Sequence, residues 1–351
     1  MKAFEKNIRK VEPYVPGEQP QHRVIKLNTN ENPYPPAPGV AKAVQSTDIE
    51  RMRLYPDPTS AVLVKELADY YGVEENQVFV GVGSDDVLSM CFLTFFNSEK
   101  PIFFPDITYS FYKVWADLYR IPYECQKLDD DFHIVKEDYY QENGGVIFPN
   151  PNAPTAIYED LDFVEDIIEH NQDVIVIVDE AYVDFAGKSA LELVNKYDNL
   201  IVVQTFSKAR SMAGMRIGYA ISNPTLIKYL NDAKYSFNSY TMNQTSLLYG
   251  VEAVKDKEYF EETVAKIVET REWAKDQFRE LGFEFPDSRA NFIFVTHPDH
   301  DAKELFEALK KANIYVRFWG SNRIEQYLRV TIGTKEEMES LFAFLREYMG
   351  R

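Results

Sequence analysis

The sequence contains few of the residues that mark several classes of protein. Only two of its 351 residues are cysteine and five are histidine, which is too few and too scattered for a disulfide framework or a structural metal site. No apolar run approaches the roughly 20 residues that span a bilayer. The 38 basic residues face 56 acidic ones, and the net charge of −18 argues against nucleic acid or an anionic membrane as a partner.

The two cysteines also indicate a compartment. Cys91 and Cys125 lie in apolar surroundings, which is typical of reduced core residues in a cytosolic protein. The first residues show no apolar run that would form a signal peptide. We therefore expect a cytoplasmic protein that holds no metal and binds neither nucleic acid nor membrane.

Predicted strands and helices alternate along the first two thirds of the chain. Continuous apolar runs such as 174–178 and 200–203 are typical of parallel strands covered by helices on both faces. The proline-rich residues 1–26 are interpreted as an N-terminal arm that packs on other parts of the protein. We predict a large α/β domain over 27–245 and a smaller α+β C-terminal domain over 246–351, with a ligand site between them.

The most informative stretch is TFSKAR at residues 205–210, which follows the apolar run 200–203. Lys208 lies just beyond a buried strand and is partly desolvated, so its amine is a usable nucleophile toward an aldehyde. Ser207 and Arg216 could hold one phosphate beside it. An imine-forming lysine next to a phosphate clamp indicates pyridoxal phosphate. On these residues alone, a surface lysine with a core-covering arginine is an equally good interpretation.

A glycine turn, GVGSDD at residues 81–86, joins a predicted strand to a predicted helix. Glycines allow close approach of the backbone, and the free N–H groups at a helix start bind phosphate well. Asp86 stands where a dinucleotide fingerprint has its third glycine, which disfavours a nicotinamide cofactor. The structural alternative is a plain helix cap by Ser84.

Three further candidates follow predicted strands. Asp179 ends the run 174–178, and a carboxylate at the carboxyl end of such a strand could keep a pyridine nitrogen protonated, although many such acids are only helix caps. Asn152 in NPNAPT could donate to a phenolate oxygen or belong to a simple turn. Arg329 and Arg317 suit a carboxylate or a phosphate, or an ion pair between domains.

Taken in chain order, these motifs resemble the fold-type I pyridoxal-phosphate aminotransferases over almost the whole sequence. Within them, LNTNENP at 27–33, LYPD at 54–57, GSD at 83–85 and the opening IRKVEPY at 8–14 are most similar to the histidinol-phosphate aminotransferase family. The resemblance implies an α/β fold with a mostly parallel central sheet and pyridoxal 5′-phosphate as cofactor. It also implies transfer of an amino group between L-histidinol phosphate and 2-oxoglutarate in histidine biosynthesis.

The resemblance implies a role for each residue around the cofactor ring. Lys208 would bind the cofactor as an imine and then move the proton that is transferred. Asp179 would pair with the pyridine nitrogen, and Tyr109 would stack on the ring. Tyr182 and Asn152 would hydrogen-bond the ring oxygen O3′. The family's usual Asn-Pro-Thr-Gly run is replaced here by NAPTA at residues 152–156.

The resemblance also implies two anion sites. The cofactor phosphate would be held by residues from the glycine turn and from both sides of the lysine: Gly83, Ser84, Asp85, Ser207 and Arg216. Tyr55 would reach the phosphate in the neighbouring subunit, which implies a homodimer. Arg329 would bind the α-carboxylate of glutamate and the phosphate of histidinol phosphate, with help from Arg317, Tyr14 and Asn30.

Three alternatives remain open at this point. An aromatic or broad-range aminotransferase would take a substrate with a carboxylate in place of the phosphate. A lyase resembling threonine-phosphate decarboxylase would break a different bond, and its choice depends on pocket shape. The effector-binding module of a regulator would need a DNA-binding segment, which the sequence does not show.

Overall fold

The strands and helices follow the predicted order. The computed structural model of the protein describes residues 3–350, so residues 1, 2 and 351, at the ends of the predicted arm and small domain, lie outside the described residues. The strands are β1 (Ile25–Lys26), β2 (Val78–Gly81), β3 (Ile102–Pro105), β4 (Tyr123–Gln126), β5 (Val146–Pro149), β6 (Val176–Asp179), β7 (Leu200–Thr205), β8 (Gly218–Ser222), β9 (Phe292–Thr296), β10 (Ile314–Tyr315), β11 (Arg317–Phe318) and β12 (Tyr327–Thr331).

Helices separate most of these strands. The α-helices are α1 (Pro38–Gln45), α2 (Ala61–Tyr71), α3 (Gly83–Phe95), α4 (Phe111–Tyr119), α5 (Leu161–Glu169), α6 (Pro224–Phe237), α7 (Gln244–Lys255), α8 (Lys257–Leu281), α9 (Ala302–Lys311) and α10 (Lys335–Tyr348). Short 3₁₀ helices lie at Ala3–Asn7, Ile49–Arg53, Glu75–Gln77, Lys136–Tyr139, Val183–Phe185, Ala190–Leu193 and Ala213–Met215.

A seven-stranded sheet in the order β2-β8-β7-β6-β5-β3-β4 forms the centre of the larger part of the chain. The neighbours from β7 to β4 run parallel, and only β8 runs antiparallel to its two neighbours β7 and β2. The prediction of a mostly parallel α/β sheet is confirmed. Because β2, β3, β5, β6 and β7 share one direction, their carboxyl ends meet at one edge of the sheet.

Both faces of this sheet are covered, as continuous apolar strands require. Val178 and Val202 contribute to the core formed with α1, α2, α5 and α7. Ile177 and Ile201, which alternate with them, contribute to the core formed with α3, α4 and α6. Successive side chains on a strand point to opposite faces, so each strand serves both cores.

The C-terminal part of the chain folds around a second sheet, in the order β11-β12-β9, with α8, α9 and α10. Helix α8 has a cap at each end: Asp256 accepts a hydrogen bond from the Tyr259 N–H at its start, and Gly282 ends it at φ +89°. Strand β1, at the end of the N-terminal arm, pairs with β10 of this part. The arm therefore packs on the small domain.

Two features differ from the sequence prediction. The predicted boundary at 245/246 falls inside α7, which packs against α1 and α2 of the large domain. We propose to place the boundary at Asp256, between α7 and α8. Helices α1 and α6 were not predicted, and each starts at a proline, Pro38 and Pro224, in the first helical position where its fixed φ is favourable.

Some negative findings apply to the described residues. Within residues 3–350, no helix is both long and apolar enough to cross a bilayer. The same range contains no group of three or more potential metal ligands. Cys91 is buried, Cys125 is partly buried, and both are free thiols.

Candidate active site

The predicted site residues meet at the edge where the parallel strands end. Asp179 is the last residue of β6 and pairs in register with Val203 of β7. Lys208 follows the end of β7, and the glycine turn follows β2. Thr205 at the end of β7 is in register with Gly218 of β8, which is in register with Gly81. The sheet therefore brings together segments that are more than 100 positions apart in the printed sequence.

Lys208 is held by a loop from the N-terminal part of the chain. Its Nζ donates a hydrogen bond to the carbonyl oxygen of Thr29 at 3.1 Å and lies 5.6 Å from the ring centre of Tyr182. The Asn32 amide donates to the carbonyl oxygens of Lys208 and Ala209, both at 3.1 Å. Sequence reasoning missed Asn32, although the three asparagines of that loop were a signal for it.

Asp179 is the buried acid of the site. Asp179 is only 4% exposed, and the Tyr112 hydroxyl donates to its Oδ2 at 2.8 Å. The Ala181 N–H donates to Oδ1 at 3.3 Å. Burial raises the pKa of Asp179 to about 6, against the opposing effect of the two hydrogen bonds and of the Lys208 charge. A partner with positive charge beside this carboxylate would be strongly favoured.

The adjacent acid, Glu180, has a different position. Its carboxylate accepts hydrogen bonds from the Ser189 hydroxyl at 2.5 Å, the Ala190 N–H at 2.6 Å and the Gln204 amide at 2.8 Å. Burial raises its pKa to about 7. These three donors fix the ends of β6 and β7 to the following loop, so Asp179 is the acid of this pair that is available to a ligand.

The start of α3 forms a close cradle with the β7–β8 connection. Gly83 opens the helix at φ +83°, and a Cβ there would lie 2.5 Å from Nη2 of Arg216. A Cβ on Gly218 would lie 2.2 Å from the backbone nitrogen of Ser84. Both glycines are therefore required for the helix start to approach Arg216. The free N–H groups of the first turn make this a site for an anion.

Two residues of the predicted phosphate clamp are already paired across this cradle. Asp85 accepts from Arg216 Nη2 at 3.0 Å and from the Tyr109 hydroxyl at 2.7 Å. Ser84 is the second residue of α3, and Val82 occupies the cap position, so the alternative of a Ser84 helix cap is wrong. Ser207 is buried, with its Oγ 3.0 Å from Thr205 Oγ1.

The two residues predicted to contact O3′ differ in whether their hydrogen-bond donors are already engaged within the protein. The Tyr182 hydroxyl accepts from the Asn30 amide at 2.9 Å. The Asn152 amide instead donates to the Ile107 carbonyl and to Thr155 Oγ1, both at 3.0 Å. Because both amide protons of Asn152 are engaged, its contact with O3′ stays a prediction.

The predicted substrate arginines lie on adjacent strands. Arg317 of β11 and Arg329 of β12 are register partners in the antiparallel pair. Arg329 donates from Nη2 to the Asn28 carbonyl at 2.9 Å, while its Nε is buried and has no hydrogen-bond partner within residues 3–350. Burial lowers the pKa of Arg329, so an anion here would favour its charged form.

The N-terminal arm closes this side of the site. Arg317 donates to the carbonyl oxygens of Val15 at 3.1 Å and Pro16 at 3.3 Å. Tyr14 stacks on Phe111 with ring centres 4.3 Å apart. Its ring centre also lies 6.3 Å from that of Tyr109, so the arm contacts the cofactor side. The structure thus places Tyr14, Asn30 and both arginines around one cleft.

Tyr55 does not face the site of its own chain. It is 82% exposed and stacks on Tyr240 with ring centres 4.6 Å apart. Other exposed apolar side chains lie near it in sequence, at Ile49, Met52 and Leu54, and Met52, Val62 and Leu248 line one cavity. Such a concentration of exposed apolar residues is typical of an interaction surface.

A family model for aminotransferase class I and II matches residues 22–345 of this chain. The match covers both parts of the fold and every predicted site residue except Tyr14. The chain therefore belongs to the class I and II aminotransferases.

Individual relatives narrow the comparison. The chain is 50% identical, over 97% of its length and 96% of the relative's, to the histidinol-phosphate aminotransferase of Clostridium botulinum strain Langeland. It is 49% identical over 99% of its length and 98% of the relative's to the enzyme of the same name from Lactococcus lactis subsp. cremoris. The fold is shared with the histidinol-phosphate aminotransferase of Sinorhizobium meliloti, which was solved in complex with pyridoxal-5′-phosphate. The TM-score is 0.84 and the identity 23%, over 92% of this chain and 90% of the other.

Proposed function

We propose that this protein is a transaminase that exchanges an amino group between L-histidinol phosphate and 2-oxoglutarate in histidine biosynthesis, with pyridoxal 5′-phosphate as cofactor. The observation that carries the proposal is the placement of Lys208 and the buried Asp179 between two separate anion sites. One anion site is the α3 cradle and the other is the Arg317–Arg329 pair. The relatives at about 50% identity support the same activity.

The residues fit pyridoxal phosphate. Because Gly83 and Gly218 have no Cβ, the start of α3 approaches Arg216 closely enough for its N–H groups and the guanidinium to hold one phosphate together. Asp179, whose burial raises its pKa, has the chemistry to hold a protonated pyridine nitrogen. When bound, pyridoxal phosphate supplies an aldehyde and an electron-withdrawing ring.

Each of the residues around the cofactor has a distinct role in the proposed reaction. Lys208 offers its Nζ first as a nucleophile and then as the base and acid that takes and returns the transferred proton. Asp179 holds positive charge at the ring nitrogen, and Tyr112 keeps the carboxylate oriented. The ring centre of Tyr182 lies 5.6 Å from Lys208 Nζ, so the Tyr182 hydroxyl would contact a ligand bound beside this amine. Arg216 and the start of α3 fix the phosphate.

The opposite wall of the cleft favours a phosphate-bearing substrate. Two guanidinium groups on register-paired positions repel each other when no anion is present. A phosphate dianion can accept from both, whereas a carboxylate is satisfied by one. Arg317 and Arg329 therefore favour histidinol phosphate over an aromatic amino acid.

A single half-reaction tests the substrate. The purified holoenzyme is mixed with L-histidinol phosphate, and we expect rapid loss of the visible absorbance of the aldehyde form and appearance of imidazole-acetol phosphate. Phenylalanine and tyrosine at the same concentration should react at least about 100-fold more slowly, since one anchoring ion pair is worth roughly 3 kcal/mol. Faster reaction with the aromatic amino acids would establish the aromatic alternative, and release of carbon dioxide from a phosphorylated amino acid would establish the lyase.

We further propose that the protein is a homodimer that joins through the apolar surface around Tyr55. The exposed apolar residues and the cavity of about 520 Å³ between α1 and α7 support a large interface. In the dimer, Tyr55 would reach the cofactor phosphate of the partner subunit. Each active site would therefore be complete only in the homodimer, because its Tyr55 would come from the other subunit.

We expect Tyr55→Phe to weaken binding of pyridoxal phosphate about tenfold, because one hydrogen bond to a charged group is lost. Equilibrium dialysis against the cofactor measures this, with Tyr229→Phe, another exposed tyrosine, as the control that should bind normally. Mixing Tyr55→Phe with Lys208→Ala subunits should restore one site of normal affinity per hybrid. An active monomer, or hybrids without any normal site, would rule out the shared site.

We also propose that the protein works in the cytoplasm. The support is chemical: Cys91 and Cys125 are both free thiols, which a reducing compartment maintains. The biosynthetic role proposed above points to the same compartment.

A further inference from the structure

The loop 319–326, which joins β11 to β12, contacts both substrate arginines. The guanidinium carbon of Arg317 lies 5.3 Å from the Trp319 ring centre, and that of Arg329 lies 5.1 Å from the same ring. An indole face attracts each cation and so offsets their mutual repulsion. Trp319 thereby sets the spacing between two groups that would otherwise move apart.

The other end of this loop is attached to the large domain. Arg323 donates from Nη1 to Asp106 Oδ2 at 3.1 Å, and from Nη2 to the carbonyl oxygens of Leu128 at 3.0 Å and Asp129 at 2.6 Å. Its guanidinium also lies 5.6 Å from the ring centre of Phe132. Three acceptors arranged around one planar cation use the fixed fork of arginine, which lysine does not have.

The acceptor Asp106 belongs to the cofactor side of the cleft. Its other oxygen, Oδ1, accepts from the backbone N–H groups of Ile107 at 2.9 Å and Leu128 at 3.0 Å. The residues that follow it in sequence include Tyr109, which donates to Asp85 in the cradle. One carboxylate therefore fixes both the loop that leads to Tyr109 and the loop that carries Trp319.

The backbone at Arg323 is consistent with a position held from outside the loop. Arg323 has φ +72°, in the left-handed region that is unfavourable for residues other than glycine. Left-handed residues of this kind persist where the surrounding contacts fix them, and they concentrate at functional sites. The Arg323 and Asp106 side chains are 22% and 27% exposed, so their ion pair is partly shielded from solvent.

We infer that Arg323 is a positioning residue for the phosphate group of the substrate. By attaching the β11–β12 loop to Asp106, Leu128 and Asp129, it holds Trp319 and thus the spacing of the two guanidinium groups above the cofactor side. The inference rests on the proposed function, in which Arg317 and Arg329 receive the phosphate. Because a carboxylate needs only Arg329, loss of Arg323 affects the phosphate substrate more than glutamate.

The test compares the two half-reactions of the holoenzyme. In Arg323→Ala we expect KM for histidinol phosphate and the inhibition constant of inorganic phosphate to rise about 10- to 100-fold, since small displacements of a binding group cost up to about 100-fold. The glutamate half-reaction and kcat should stay within about threefold, as expected for a carboxylate held by one arginine. Arg323→Lys should recover part of the loss, because it retains the charge but not the fork.

Three further variants separate positioning from general damage. Asp106→Asn should shift the same constants in the same direction, and the double variant Arg323→Ala/Asp106→Asn should be no worse than Arg323→Ala alone. Arg346→Ala is the matched control, because Arg346 donates to Gln277 on the outer side of the small domain. Its kinetic constants should equal those of the unmodified enzyme.

Equal losses in both half-reactions of Arg323→Ala, or an unchanged inhibition constant for phosphate, would overturn the inference. Failure of the proposed function looks different, because the unmodified enzyme would then not convert histidinol phosphate at all. In that case the inhibition constant of inorganic phosphate in the glutamate half-reaction still tests the inference. A higher inhibition constant in Arg323→Ala than in Arg346→Ala supports the positioning role, and an equal one refutes it.

Discussion

Lys208→Ala is expected to lower turnover by about 10⁴-fold or more, at the upper end of what general acid–base catalysis contributes. Its Nζ is the amine that the structure places within 5.6 Å of the Tyr182 ring at the carboxyl edge of the sheet. Removal of the amine deletes the nucleophile and the proton carrier together. The cradle and Asp179 remain, so cofactor should still bind, without covalent attachment.

Single-turnover kinetics with histidinol phosphate measure the loss, and absorbance after gel filtration measures retained cofactor. Lys208→Arg is the matched variant, because it keeps the positive charge but cannot give up its proton at neutral pH, and it should be as inactive as Lys208→Ala. Lys228→Ala, at an exposed lysine that pairs with Asp232 on α6, should have normal activity. Normal turnover in Lys208→Ala would refute the central assignment.

The second large effect concerns Asp179 and pH. Because burial raises its pKa to about 6, the apoprotein carries a charged Asp179 above pH 6 and a neutral one below. We expect the affinity for pyridoxamine phosphate, which cannot bind covalently to Lys208, to fall about tenfold per pH unit below 6, since the ion pair with the ring nitrogen then costs a proton. Fluorescence titration from about pH 4.5, below the raised pKa, to about pH 8, above it, measures this fall in affinity.

Asp179→Asn is the control, because the ligand's own titrations are the same in both proteins. Its affinity should be lower at pH 8 and should lack the extra fall below pH 6. Tyr112→Phe removes a donor to the charged carboxylate, so the fall should begin at higher pH. If Asp179→Asn and the unmodified protein show identical pH profiles, Asp179 does not pair with the ring nitrogen.

The same shift affects the stability of the apoprotein. The unfolded carboxyl loses its proton near 3.8, whereas folded Asp179 keeps it to about 6, so the folded state binds more protons in this window. Stability contributed by this group therefore falls as pH rises from about 4 to 6, by about 3 kcal/mol in total. In the proposed role of Asp179, a bound pyridinium would offset this cost.

The parts of the site that follow strand ends could be predicted from the sequence. Lys208 and Asp179 come directly after apolar runs, and the carboxyl ends of parallel strands converge whatever their order in the sheet. Gly83 of the α3 cradle was also visible, because close approach of a backbone to a ligand requires that residue type, whereas Gly218 was not predicted. These assignments need only local patterns and one general rule of α/β folds.

Other residues gave no local signal. Tyr112 lies on the buried face of α4 and is indistinguishable in sequence from an ordinary core aromatic. Arg323 lies in an irregular loop, and its acceptors at Asp106, Leu128 and Asp129 are 194 to 217 positions away. Helix α7 was missed as part of the large domain because its partners α1 and α2 precede it by a similar distance. Pairings of this length depend on the tertiary fold alone.

The position of β8 has a consequence for how the protein is made. Strand β2 pairs only with β8 in the seven-stranded sheet, and Gly81 is in register with Gly218, so the segment that leads into the α3 cradle has no strand partner until β8 has been made. Strands β2 to β7 leave the ribosome before β8, so β3 to β7 can assemble as a parallel core while β2 still has no strand partner. The proposed phosphate-binding cradle can therefore form only after β8 has been made, and we expect cofactor binding to require that the sheet is closed.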